Sequence, residues 1–257
     1  MAPDNQPENK RVLALMPHPD DIEILCAGTL LRLAAIGFEI HIATMTPGDK
    51  GSATLSREVI SKIRREEAQS AAGVLGAKSC HCLEFSDLEI TFDNASRRKV
   101  SEMLRVVNPA IVFTTPPSDY MFDHEITSQL VRDACFTAGV ENYQAAGKPI
   151  DGVPYLYYSD AVGGHDLFGA DARVSCIVDI SGQIEQKADA LKRHDSQRAW
   201  LQKQHGMDNY IQSMKTWSGK RGTQIGTQYA EAFCQHLGHP HPEDDILQTL
   251  LDAKTNF

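Results

Sequence analysis

Between residues 11 and 180, short apolar runs alternate with stretches of helical spacing, and this alternation constrains the fold more tightly than anything else in the chain. The runs fall at Arg11–Met16 and at residues 39–46, 79–85, 110–115, 155–159 and 174–180. Helical spacing fills 24–36, 56–75, 96–107 and 126–138 between them. Strands that are apolar nearly throughout, joined by helices, imply a mostly parallel α/β sheet of Rossmann-like type with helices on both faces. Beyond residue 180 the pattern changes. A long polar helix is expected at 183–204, and further helices at 229–236 and 243–251, as a helical C-terminal extension wrapping the sheet edge. Residues 1–10 read as a disordered polar tail and 11–257 as a single domain.

In an open parallel sheet, ligands bind beyond the carboxyl ends of the strands. The loop after the first strand is His18-Pro19-Asp20-Asp21. His18 and Asp21 stand three apart at a helix start, so both fall on one side. An imidazole nitrogen and a carboxylate oxygen are good zinc ligands. Asp20, between them, points elsewhere and is placed to take a proton from metal-activated water. The alternative is that the two aspartates simply cap the helix. A catalytic zinc needs a third protein ligand. His124 supplies one from the loop after the fourth strand, which neighbours the first in the usual order of such sheets. Asp123 beside it is the candidate outer carboxylate that orients an imidazole.

Net charge excludes two partner classes. With 34 acidic against 25 basic residues, the formal charge is −9. That disfavours nucleic acid and anionic membrane surfaces, both of which need basic patches. The first ten residues lack the apolar core of a secretory signal, and no run approaches the roughly 20 apolar residues of a membrane span, so a cytoplasmic location is expected. Cys26, Cys135, Cys176 and Cys234 stand singly in apolar stretches and read as core residues. Cys80-His81-Cys82 lies in a strand without a matching second pair and reads as structural rather than metal-binding. A dinucleotide-dependent oxidoreductase is disfavoured because no G-x-G-x-x-G follows the first strand.

Met16-Pro17-His18-Pro19-Asp20-Asp21 resembles the hallmark of the LmbE-like, or GlcNAc-phosphatidylinositol de-N-acetylase (PIG-L), superfamily. Further segments match in order from about residue 11 to 236. Arg64 and Glu67, with Ala71-Ala72 and Leu75-Gly76 behind them, resemble an R-x-x-E…A-A-x-x-L-G helix. Phe85-Ser86-Asp87 resembles a segment ending in a substrate-contacting aspartate, and Asp123-His124 the end of an H-P-D-H motif. Lys187 to Gln197 resembles K-x-x-A-L-x-x-H-x-S-Q, and Tyr229 to Phe233 resembles Y-A-E-x-F.

The resemblance implies a single zinc on His18, Asp21 and His124, with Fe²⁺ or another divalent ion suited to the same donors. It implies Asp20 as general base and Arg64 and Asp87 as groups that hold sugar hydroxyls. The expected reaction removes an N-acyl group, usually acetyl, from a small amino-sugar molecule, and the expected assembly is a homo-oligomer. Cleavage of a thiol-conjugate amide is a variant of that chemistry. The family carries a histidine where this chain has Met121, which neither donates a hydrogen bond nor moves a proton. Replacement candidates are His165, Tyr120 and His194, the last also readable as a structural anchor. The same departure motivates a rival reading, an amino-sugar-binding protein with impaired catalysis.

Overall fold

The computed structural model describes residues 7–197 and 210–255. The strands are β1 (Arg11–Met16), β2 (Glu39–Thr44), β3 (Ser79–Cys82), β4 (Ile111–Thr114), β5 (Tyr155–Ser159), β6 (Cys176–Asp179), β7 (Ala230–Gln235) and β8 (Lys254–Thr255). They form one sheet in the order β3-β2-β1-β4-β5-β7-β6-β8. The first five pair in parallel, and β7, β6 and β8 continue the sheet antiparallel. The reversal of direction along the chain falls between β1 and β4, the adjacency expected of the two loops that carry His18 and His124.

The helices are α1 (Asp21–Leu25), α2 (Ala27–Ala35), α3 (Arg57–Leu75), α4 (Asn94–Val107), α5 (Phe122–Thr137), α6 (Ile184–Leu191), α7 (Tyr210–Ile225) and α8 (Ile246–Leu251). They cover both faces. Val12, Ala14 and Met16 of β1 enter one buried cluster with α2 and α6, and Leu13 and Leu15 enter a second with α4 and α5. Burial on both faces is why β1 is apolar without alternation. The helix α3 starts where Ser56 accepts a hydrogen bond from Val59 N–H and stops at Gly76, which adopts φ 66°. No helix among the described residues is long and apolar enough to cross a membrane.

Several sequence expectations are corrected. Within 229–236, Ala230–Gln235 form strand β7, not a helix. Its alternation sends Phe233 to the main core and Ala230 and Ala232 to a separate cluster on the other face. A run this short fits either period, and the sheet position decides. The C-terminal third therefore supplies strands to the sheet as well as helices at its edge. The segment 24–36 is two helices broken at Cys26. The helix expected over 183–204 is interrupted after Leu191 and helical backbone resumes at residues 195–197, while residues 198–204, like residues 1–6 of the polar tail, lie outside the described residues. All six cysteines are unpaired; Cys26, Cys135 and Cys176 are buried, whereas Cys234 is only partly so.

The K-x-x-A-L and Y-A-E-x-F segments meet in the core. Lys187 Nζ lies 2.6 Å from Glu231 Oε1, and both side chains are almost wholly buried. Glu231 also accepts the N–H groups of Gly28 (2.8 Å) and Thr29 (2.7 Å), which the first turn of α2 leaves without helical partners. Lys187→Met is expected to strand a buried carboxylate and cost about 3–5 kcal/mol. Denaturant unfolding checks this, and adding Glu231→Gln should recover part of the loss.

Candidate metal centre and active-site cavity

The chain bends sharply after β1. Asp20 adopts φ 106°, ψ −27°, and its carboxylate makes no capping bond to α1. The capping alternative therefore fails for Asp20. Asp21 instead turns back, and its Oδ2 accepts the backbone N–H of His18 at 2.9 Å. Across the β1–β4 boundary, Thr115 Oγ1 donates to His124 O at 2.7 Å and fixes the first turn of α5.

These loops bring His18, Asp21 and His124 together, all buried, with one potential ligand atom from each within 4.8 Å of the others. His18 Nδ1 lies 3.4 Å from Asp21 Oδ2, and His124 Nε2 lies 3.6 Å from Asp21 Oδ1. Tetrahedral ligands at about 2.1 Å from a zinc ion stand about 3.4 Å apart, and each imidazole stands near that distance from one or the other oxygen of Asp21. His124 is 1% exposed, and its Nε2 has no hydrogen-bond partner. A buried imidazole nitrogen with no hydrogen-bond partner, facing a carboxylate, is a donor that a cation would satisfy.

The outer partners are equally specific. His18 Nε2 lies 3.2 Å from Asp123 Oδ2 and 3.1 Å from Asp87 Oδ1. Asp123 Oδ2 is fixed in turn by Leu88 N–H at 2.7 Å. Asp123 thus holds His18, the imidazole of the other loop, rather than its neighbour His124. His124 Nδ1 is held by Asp119 Oδ2 at 3.2 Å, a partner that sequence reasoning missed. The signal was a carboxylate five residues ahead of a ligand, which only the turn into α5 brings within reach. Carboxylate partners of this kind fix the tautomer and raise ligand basicity.

Charge follows from this packing. Burial would lower the His18 pKa, but Asp123, Asp21 and Asp87 outweigh it and hold the ring protonated well above the ordinary range. Burial would raise Asp21, but His124 and His18 keep it low. Asp20 is pushed up to about 6 by burial and the Asp21 carboxylate, against the pull of His194, Tyr210 and Arg64.

A cavity of about 490 Å³ opens over these residues, a volume suited to a small molecule. His18, Asp20, Asp21, Asp87 and Arg64 line its polar side, and Met121, Leu88, Val162 and Trp217 its apolar side. Arg64 is 3% exposed and donates to Gly51 O at 3.1 Å and to Gln197 Oε1. Its guanidinium lies against Gly48 and Gly51, where a Cβ would collide with it. Glu67, one turn on, accepts from Ser196 N–H (2.8 Å) and Oγ (2.6 Å). The R-x-x-E helix and the H-x-S-Q segment are therefore clamped together beside the cavity.

The candidates for the role vacated at Met121 separate. Tyr120 lines the cavity, its ring centroid 5.3 Å from that of His124, and is 68% exposed. His194 is buried behind the site, 3.4 Å from Glu23 Oε2, which supports the anchoring reading. His165 is not brought to the cavity. It is exposed, 3.5 Å from Asp171 and 3.4 Å from Lys220 Nζ. A bridge to Asp171 turns its loop outward after the β5 end. Two cavity residues, Tyr210 and Trp217 of α7, went unread in the sequence because their spacing is that of an ordinary helix.

With this geometry in place, comparison with known proteins becomes decisive. Residues 13–135 match the family model of GlcNAc-PI de-N-acetylase, PIG-L. The chain carries a PIG-L family domain. Diacetylchitobiose deacetylase of Thermococcus kodakarensis is 28% identical over 247 residues, 88% of this chain and 84% of that protein. The crystal structure of N,N'-diacetylchitobiose deacetylase from Pyrococcus horikoshii superposes with a TM-score of 0.78 at 26% identity, covering 91% of this chain and 88% of that one. A relative named for a different chemistry, 4-oxalmesaconate hydratase of Pseudomonas putida, is 28% identical over 73% of this chain and 74% of its own. His18, Asp21, Asp87, Asp123 and His124 all lie inside the PIG-L match, whereas Tyr210 and Trp217 lie beyond it.

Proposed function

We propose that this chain is a metal-dependent amidohydrolase that removes an N-acetyl group from a small glucosamine-containing molecule. The observation that carries the reading is the His18–Asp21–His124 donor set, with the unpartnered Nε2 of His124, beside a cavity that His18, Asp21 and the Asp20 carboxylate line. The diacetylchitobiose deacetylases point to the substrate class. Two imidazoles and one carboxylate suit zinc best, with Fe²⁺ as the competing ion. The unpaired thiols agree with a reducing, cytoplasmic location. Exposed Phe122 (80%) and Phe168 (93%) agree with a homo-oligomer.

A cation held by these donors supplies Lewis acidity, acidifying water and polarising the acyl carbonyl. Asp20 accepts the proton of the attacking water and returns it to the departing amine. Arg64 and Asp87 hold sugar hydroxyls, with Asp87 also steadying His18. Asp123 and Asp119 keep the two imidazoles in the tautomers that direct a lone pair into the site.

The test is free-amine release from N-acetylglucosamine conjugates, including diacetylchitobiose, by protein loaded with Zn²⁺ or Fe²⁺ and stripped by chelator. We expect metal-dependent release of amine and acetate. A second reading, hydration, is favoured by the Pseudomonas relative and by Met121. Water addition to 4-oxalmesaconate in the same assay, with no amine from any conjugate, would replace the first reading with the second.

A further inference from the structure

Tyr210 is the first described residue of α7 and is 6% exposed. Its ring belongs to the main buried cluster, and its hydroxyl donates a hydrogen bond to Asp20 Oδ2 at the cavity wall. The two residues are 190 positions apart, so the contact is made by the fold and not by a local turn. Among the described residues, no other side chain hydrogen-bonds the Asp20 carboxylate; Asp21, His194 and Arg64 act on it through charge alone.

We propose that Tyr210 is the positioning residue for the base, fixing one oxygen of Asp20 and leaving the other to receive the proton. The inference rests on the amidohydrolase reading. A carboxylate with two free oxygens can turn about its terminal torsion, which is broad. With Oδ2 held, Oδ1 is the oxygen left to meet the attacking water. In the step, a water O–H breaks, its proton passes to Asp20 Oδ1, and the new C–O bond forms. The C–N bond then breaks, and the same proton moves from Asp20 to the amine nitrogen. Tyr210 keeps its own proton throughout. Met121 cannot supply a hydroxyl or ring N–H to this site, and Tyr210 brings one in from the C-terminal third of the chain.

Tyr210→Phe keeps the ring and its packing and removes only the donor. We expect kcat on the best N-acetyl substrate to fall roughly 10- to 100-fold, with KM changed by less than about twofold and metal content unchanged. In an Asp20→Asn background the same substitution should cost less than about twofold, because the two residues act as a unit. A loss confined to KM, no loss, or an equal loss in both backgrounds overturns the proposal. A second measurement needs no turnover. In metal-free protein labelled with 3-fluorotyrosine, one of seven tyrosine resonances is identified by its absence from Tyr210→Phe. It should shift in Asp20→Asn, which exchanges the carboxylate acceptor for an amide; an unmoved resonance shows that the contact does not form. Wild-type protein without turnover would sink the deacetylase reading, while the fluorine shift would still decide the contact.

Discussion

His124→Ala protein is expected to bind metal far more weakly than wild type and to turn over no N-acetyl substrate. Loss of an outer partner such as Asp123 or Asp119 typically costs about 10- to 100-fold in metal affinity, and loss of one of three direct ligands must cost more. The substitution removes the unpartnered Nε2 and leaves a polar hole beside Asp21 and Asp119. Titration of metal-free protein with Zn²⁺, followed by calorimetry, reads the affinity. Near-ultraviolet circular dichroism shows that the fold persists. Wild-type metal content in His124→Ala would remove it from the ligand set.

The same calorimetry should reveal protons. His18 and His124 are both held protonated above the ordinary histidine range in the metal-free site, His124 chiefly by Asp21 and Asp119 against the opposing effect of burial. A ring must lose that proton before its lone pair reaches a cation. Affinity should therefore rise with pH until both rings are neutral and weaken as pH falls below their raised pKa values. Proton release on binding should be visible as a buffer-dependent enthalpy.

Much of this site was legible in the sequence because its parts sit at the ends of strands. The run Arg11–Met16 is buried on both faces, so it announces itself without alternation, and the residues after it necessarily reach the ligand-binding edge. His124 was legible for the same reason one strand further along the sheet. The less legible parts depend on long-range closure. Asp119 becomes a partner of His124 only through the turn before α5. Strand β7 looked helical because six residues cannot separate a period of 2 from one of 3.6; what makes it a strand is pairing with β5 and β6 on its two sides. His165 looked well placed because it follows a strand, but its loop closes on Asp171 and Lys220 instead. Tyr210 and Trp217 carry no local signature, since an aromatic on an amphipathic helix is ordinary core material until the cavity is seen.

Asp20→Asn is expected to keep metal at wild-type level and lose about 10²- to 10⁴-fold in kcat, the contribution of a positioned proton-transfer group. Asparagine is isosteric, can still accept from Tyr210, and takes no proton at working pH. The Asp20 side chain lies outside the proposed ligand set, so the cation should stay. The pH profile gives an independent reading. A base works when ionised, so wild-type kcat/KM should fall as pH drops through the Asp20 pKa. Burial and the adjacent Asp21 charge raise that pKa to about 6 in the metal-free site. A cation on Asp21 offsets the second of these effects, so the acid limb should lie no higher than about 6. Asp20→Asn should lack that limb altogether. Metal lost together with turnover would make Asp20 a ligand, not a base. Near-wild-type turnover would move proton transfer to another group that lines the cavity, such as Tyr120.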